Sequence, residues 1–229
     1  MNIRILQLIE GAKKATGPAV ISDVFRAFSL EAYLFDRGAR AIYPIGETAE
    51  AYRRKRVDPT VVLAGERHGK ILDGFDLGNA PSDAVLLDVQ GKTVVHTTSA
   101  GTQGVANAQG ADEILGASLV NARATANYLK KMGRTDISLV CMGLEGVAET
   151  DEDTLCARYI KAILEGQEDT LDMQKEIERL RYTSGAKFFD EAQNDVFPRE
   201  DFFLCTACDR FDFVMRLDRR TGKMQRVDI

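Results

Sequence analysis

The stretch PAVISDVFRAFSLEAYLFDRGARAIYPI, Pro18 to Ile45, decides the fold class. Its first part, PAVISDV, is a short apolar run of the kind buried strands use. FRAFSLEAYLFDRG comes next, with Phe25, Phe28, Ala32 and Phe35 spaced for one helix face and Gly38 as the stop. ARAIYPI then reads as a second strand. Strand, helix and strand in this order are the repeating unit of a parallel sheet.

The same alternation continues outward. ETAEAYRRKR reads as a charged helix, TVVLAGE as a third strand, and KTVVHTT, ADEILGA and ISLVCMG as three more. Helices are expected at NARATANYLKKMG and DTLCARYIKAILEG, the second with Leu155, Cys156, Tyr159, Ile160 and Ile163 on one apolar side. The pattern predicts a layered α/β/α fold with a largely parallel or mixed sheet. After Gly166 it changes: DMQKEIERLRY reads as a polar helix, AKFFDEAQ as another, and DFVMRLDRRTGKMQRVDI as a hairpin turning near Thr221 and Gly222. No linker interrupts the chain. Residues 1–229 are expected to form a single domain, with 166–229 as its C-terminal helical and hairpin elaboration.

At 229 residues and 45% hydrophobic content the chain can bury a full core. A net charge of -5 and a pI near 5.2 exclude a general nucleic-acid binder, which needs a basic surface to gain from counterion release. No apolar run approaches the roughly 20 residues of a membrane span. The opening MNIRILQLIEGAKKATG has its apolar core broken by Arg4 and Gln7 and lacks a signal-peptide plan, so a cytoplasmic location with reduced thiols is expected. Cys205 and Cys208 form a CxxC, but a structural zinc site wants a second pair or histidines, and the only histidines are His68 and His96. Buried or idle thiols are the expectation. The expected partner is a small phosphorylated acid, and a homodimer is left open.

In open α/β sheets, ligands bind beyond the carboxyl ends of the strands. The residues at the end of each apolar run are therefore informative. After VIS come Asp23 and Arg26; after VVLAG come Glu66 and Arg67, then a glycine-rich loop carrying Asp76. After TVVH comes TTSAGT, Thr97 to Thr102; after EILGA come Ser118 and Asn121; after LVCMG come Glu145 and Glu149. Helix N-capping explains Asp23, Ser118 or Asn121 one at a time, but not ionisable groups at so many strand ends together. TTSAGT supplies hydroxyl donors, and Gly101 lets backbone N–H groups approach an anion. GERHGK only mimics a P-loop: three residues separate its glycines, and Ile71 stands where a magnesium-binding hydroxyl is needed.

Carboxylates, arginines and a hydroxyl-rich turn suit Mg²⁺ and phosphoryl chemistry on a small phosphorylated acid. Asp23, Glu66 and Asp76 are the expected catalytic and metal-binding carboxylates. Arg26, Arg67, Thr97, Thr98, Gly101, Thr102, Ser118 and Asn121 are the expected substrate and phosphate contacts. A non-catalytic binder of a small anionic metabolite would use the same arginines and turn. The acidic run ETDED, Glu149 to Asp153, also suits an ordinary first helical turn facing the helix dipole.

These residues together carry a family resemblance. Asp23-Val-Phe-Arg-Ala, LAGER followed by GFDLGNAP, the TT..GT turn, GAS.VNA from Gly116 to Ala122, and Glu152-Asp153-Thr opening a helix resemble the 2-phosphosulfolactate phosphatase family. FDFV near Phe211 is similar too, so most of the chain takes part. The resemblance implies an α/β layered fold and a Mg²⁺-dependent phosphatase acting on a phosphorylated 2-hydroxy acid, a step of coenzyme M synthesis in organisms that make it. It carries over Asn79, Glu152 and Asp153 beside the residues above. Where the family usually has TTNGTRA, this chain has Ala100 for the asparagine and Gln103 for the arginine, which implies a change at the anion site.

Overall fold

The computed structural model describes residues 1–229. The apolar runs pair side by side. PAVIS forms β2 (Pro18–Ser22), buried at every position, and lies between β7 (Glu113–Ala117) and β8 (Asp136–Cys141), parallel to both. An outer strand, β1 (Asn2–Gln7), runs parallel to β8. A second parallel set consists of β3 (Ala41–Pro44), β6 (Thr93–Thr97) and β4 (Val62–Arg67), with the two-residue β5 (Lys70–Ile71) folded back on β4. The sequence carries little signal for β1. Its positions are mostly half-buried, and Arg4 and Gln7 interrupt the apolar run.

The terminal hairpin, β9 (Phe213–Asp218) and β10 (Lys223–Asp228), turns where the sequence places its turn. Its position is the unexpected part. It does not hang from an edge but joins the two parallel sets, in the order β1-β8-β2-β7-β9-β10-β3-β6-β4-β5. β9 is antiparallel to β7, and β10 is antiparallel to β3. The two parallel sets therefore run in opposite senses along the sheet. Strand twist of roughly 20–25° per step, summed from β2 to β6, swings one set strongly across the other. The carboxyl ends of β2, β4, β6 and β8 meet in consequence.

Alternation along the strands divides the interior into layers. Ala19 and Ile21 of β2 join one core while Val20 joins the other; Val140 and Leu139 of β8 divide the same way. On one face lie α1 (Leu8–Lys13), α2 (Ala27–Asp36) and α5 (Gly101–Asn107). On the other lie α6 (Ala122–Lys131) and α7 (Asp151–Glu165). Gly166 ends α7 with φ 69°, the left-handed position that glycine takes without strain. A smaller core beneath α3 (Thr48–Val57) covers β4 and β6.

α2 departs from the one-faced helix that its phenylalanines suggest: every residue from Ala27 to Phe35 is buried. Ser29 and one oxygen of Glu31 are partnered there, while the other Glu31 oxygen is buried without a hydrogen bond. Ser29 Oγ donates to Val24 O at 2.8 Å, and Glu31 pairs with His96 at 2.8 Å. On the far side of α2 pack α4 (Pro81–Ala84) and α9 (Arg199–Cys205). α8 (Met173–Leu180) is the expected polar helix. AKFFDEAQ forms two short 3₁₀ turns, Ala186–Phe189 and Glu191–Gln193, because Phe188 and Phe189 pack on Phe202 of α9.

The hairpin's central place has a direct consequence. Removal of residues 211–229 is expected to abolish cooperative thermal unfolding, because it leaves two half-sheets with open inner edges. A truncated chain that keeps a sharp calorimetric transition would refute this.

Candidate active site

Beyond the meeting strand ends is a cavity of about 140 Å³. Asp23, immediately after β2, is 5% exposed and lines it. Its Oδ1 accepts the Ala27 N–H at 3.1 Å, which caps α2, and its Oδ2 accepts the Gly101 N–H at 2.8 Å, which opens α5. A Cβ on Gly101 would lie 2.9 Å from that carboxylate oxygen and from Ala27 Cβ, so glycine is required there. Burial pushes the Asp23 carboxyl up to about 6; its backbone hydrogen bond from Ala27 opposes the shift, and the charge of Glu66 adds to it.

Glu66, at the end of β4, is arranged in the same way. Its Oε1 accepts the Ser99 N–H at 2.8 Å and its Oε2 the Gly69 N–H at 2.7 Å. Asp153, in the first turn of α7, makes a third bridge, from Val24 N–H at 2.7 Å to Gly143 N–H at 2.8 Å. Burial raises its pKa, and the neighbouring Glu152 and Asp23 raise it further. Asp153 lies behind the cavity and Glu152 lines it. Glu152 is 3% exposed, and its Oε2 is buried without a hydrogen-bond partner. Burial holds the Glu152 carboxyl above its ordinary value.

Two cations face these acids. The Arg26 guanidinium donates to Asp201 at 2.7 Å, both side chains being almost wholly buried, and lies 5.0 Å from the Phe197 ring centroid. Lys187 enters from the 3₁₀ turn Ala186–Phe189, and burial pulls its ammonium below the ordinary lysine value while the Glu152 charge opposes this. Nothing in the local sequence marks Lys187 as a site residue. It sits in AKFF, which reads as an amphipathic helix, and only the packing of its phenylalanines turns it inward. At the mouth, His68 Nδ1 and Glu145 Oε1 are 2.7 Å apart, both residues with positive φ.

Of the other expected site residues, only Asn79 lines the cavity. Asp76 does not reach the cavity: its Oδ2 accepts Leu63 N–H at 2.8 Å and pairs with Lys55 at 3.1 Å, with 39% of the side chain exposed. Its glycine-rich loop turns it to the outer face of β4. Arg67 donates to Thr48 Oγ1 at 2.9 Å and Thr97 Oγ1 at 3.0 Å, bracing the loop before α3. Thr98 and Thr102 hydrogen-bond to each other within the TTSAGT turn. The Ser99 and Gly101 N–H groups are given to Glu66 and Asp23, while Ser99 and Ala100 line the cavity and the Ser99 Oγ is buried without a partner. Ser118 N–H donates to Asn121 Oδ1 at 2.9 Å, and Ser118 Oγ meets Ser29 Oγ, beneath α2. Gln103 Nε2 donates to Gly46 O at 2.8 Å and does not line the cavity. Asn79 does line it, with His96 behind at 3.2 Å. Cys205 is in the core and Cys208 packs on it; burial pushes both thiols up, Cys208 to about 12.

A layered α/β protein with buried acids and two cations around one small cavity belongs to the broad class of anion-handling enzymes. Residues 3–220 match the 2-phosphosulpholactate phosphatase family. The chain is 30% identical to the "probable 2-phosphosulfolactate phosphatase" of Bacillus subtilis (strain 168), over 97% of both chains. It is 32% identical to the protein of that name from Caldanaerobacter subterraneus subsp. tengcongensis, over 86% of each. A third, from Caldicellulosiruptor saccharolyticus, is 41% identical over 62% of this chain and 60% of its own. The chain belongs to the 2-phosphosulpholactate phosphatase family, whose members are phosphoric monoester hydrolases.

Asp153 gives a test of the bridging geometry. In Asp153→Asn one backbone N–H must face an amide NH₂, and the expected loss is about 1–3 kcal/mol of stability in urea denaturation. An unchanged midpoint would show that the bridges at Val24 and Gly143 carry no weight.

Proposed function

We propose that the chain removes phosphate from 2-phosphosulfolactate, or a closely related phosphorylated 2-hydroxy acid, with Mg²⁺ as cofactor. The observation that carries this reading is the meeting of Asp23, Glu66 and Glu152 with Arg26 and Lys187 around a single cavity. Acids alone would repel a phosphate monoester. Acids with a divalent cation, flanked by two side-chain cations, attract it.

The donor set fits the metal. Carboxylate oxygens are hard ligands, and after one backbone bond per oxygen Asp23 and Glu66 each keep free lone pairs. Glu152 adds an oxygen with no partner. No three His, Cys, Asp or Glu side chains already converge as a ligand cluster. Mg²⁺ does not need that: it takes one or two protein carboxylates and completes its shell with phosphate oxygens and water. Bound there, it would supply the positive charge that offsets the negative charge of the transferring phosphoryl group.

The chain's own residues supply the rest. Arg26 offers its guanidinium from a direction fixed by Asp201 and Phe197. Burial pushes Asp23 up to about 6, and a cation held by its oxygens would keep it ionised, so Asp23 would act as a ligand. The Glu66 bridge sets the distance between the loops after β4 and β6, and so the width of the cavity. No helix of the chain is long and apolar enough to cross a membrane. The reading includes a cytoplasmic location, and it leaves a homodimer to be tested by sedimentation.

Phosphate release from 2-phosphosulfolactate is expected with Mg²⁺ and not after EDTA treatment; no release with the metal present would reject the proposal. Asp23→Asn should lower kcat/KM by roughly 100-fold or more. Asp76→Asn should keep it within about threefold, since the side chain lies off the cavity.

Metal fit has a readout apart from turnover. Millimolar MgCl₂ should raise Tm by about 2–8 °C in the unmodified protein and by much less in Asp23→Asn. Equal shifts in both proteins would place the cation elsewhere.

A further inference from the structure

We propose that Lys187 recognises the acid group of the substrate that is not transferred, the sulfonate or carboxylate on the carbon skeleton; this rests on the hydrolase reading above and names its specificity residue. Three observations lead to it. The first is an imbalance between the two cations. Arg26 is compensated by Asp201 at 2.7 Å, in a pair that is 3% and 0% exposed. Lys187 makes no hydrogen bond and no ion pair, yet it lines the same cavity.

The second is how its head is held. The ammonium lies 5.1, 5.5 and 5.9 Å from the ring centroids of Phe197, Phe188 and Phe25. Aromatic faces attract a cation and fix its place, but they do not neutralise its charge. The carboxylates of Glu152, Asp23 and Asp153 act on this ammonium only through space, and a partly desolvated ammonium with no direct ion pair gains from an incoming anion. The third is location. Lys187, Leu144, Thr150 and Phe197 are shared between the acidic cavity and an adjoining chamber whose remaining lining is Ala148, Ser184, Glu149 and Asp151, so Lys187 is the one cation an acid group meets there. A phosphate placed against the Asp23 and Glu66 side leaves the remainder of the molecule passing Lys187 toward that chamber. The second acid group then meets a cation already positioned and unpaired.

The role left for the adjoining chamber is to admit the skeleton of a short acid. Gln103, which stands where the family has arginine, is committed to Gly46 and takes no part in this contact.

Titration calorimetry with 3-sulfolactate and, separately, inorganic phosphate tests the assignment. Lys187→Met should weaken 3-sulfolactate roughly ten- to a hundredfold and weaken phosphate far less, while Lys187→Arg should recover most of the loss. In turnover, Lys187→Met should raise KM for 2-phosphosulfolactate much more than for p-nitrophenyl phosphate, which has no second acid group. Equal losses for both ligands, or no loss for either, would overturn the proposal, as would an unmodified protein that does not bind 3-sulfolactate. Lys187-dependent 3-sulfolactate binding in a protein that hydrolyses no phosphoester would keep the subsite and reject the hydrolase reading. Hydrolysis indifferent to Lys187 would do the reverse.

Discussion

Three buried carboxylates each use both oxygens to tie together two loops that the chain supplies from different places. Asp23 joins the first turn of α2 to the first turn of α5. Glu66 joins the tight turn after β4 to the loop after β6. Asp153 joins the loop after β2 to the loop after β8. Each backbone N–H involved would otherwise be short of a partner at a strand or helix end, and a charge-assisted bond to a carboxylate satisfies it more strongly than a neutral one. The cavity is the space these bridges enclose. Its shape therefore depends on the same bonds that hold the strand ends in place.

Concentrating acids in this way raises an electrostatic problem, and the rest of the site answers it. Burial and mutual repulsion push Asp23 and Asp153 up, so the cluster is not comfortable fully ionised. The two side-chain cations, Arg26 and Lys187, offset that repulsion from the flank. Arg26 is itself anchored through Asp201, whose other oxygen accepts the Ser82 N–H at 2.9 Å. The cation arrives already oriented. The C-terminal region contributes Asp201, Lys187 and Phe197, so the cavity is incomplete without the last quarter of the chain.

The sheet makes this meeting possible. A simple parallel sheet would leave the ends of β2 and β6 far apart along its edge. Inserting an antiparallel hairpin between two parallel sets, with the twist summed across it, brings those ends within hydrogen-bonding distance of common side chains. α2 can then be buried all round, provided that Glu31 and Ser29 find partners. Glu31 meets His96 of β6, from the other parallel set. That buried polar contact ties the two halves of the sheet through the helix between them.

The sequence by itself determined the layered α/β class, the inner parallel strands, the terminal hairpin and the strand ends that carry Asp23 and Glu66. Those features are local: apolar runs with period two or spaced for a helix, and turn residues at their ends, write themselves into neighbouring positions. Only the tertiary structure decided which polar groups meet. Asp76 comes after an apolar strand as Glu66 does, yet a few glycines turn it outward to Lys55. In the TTSAGT turn the Ser99 and Gly101 N–H groups look free in sequence but are taken by carboxylates 33 and 78 residues away. Lys187 has no local signature at all, because the force that turns it inward is the packing of phenylalanines on α9, a contact between elements that sequence spacing does not encode.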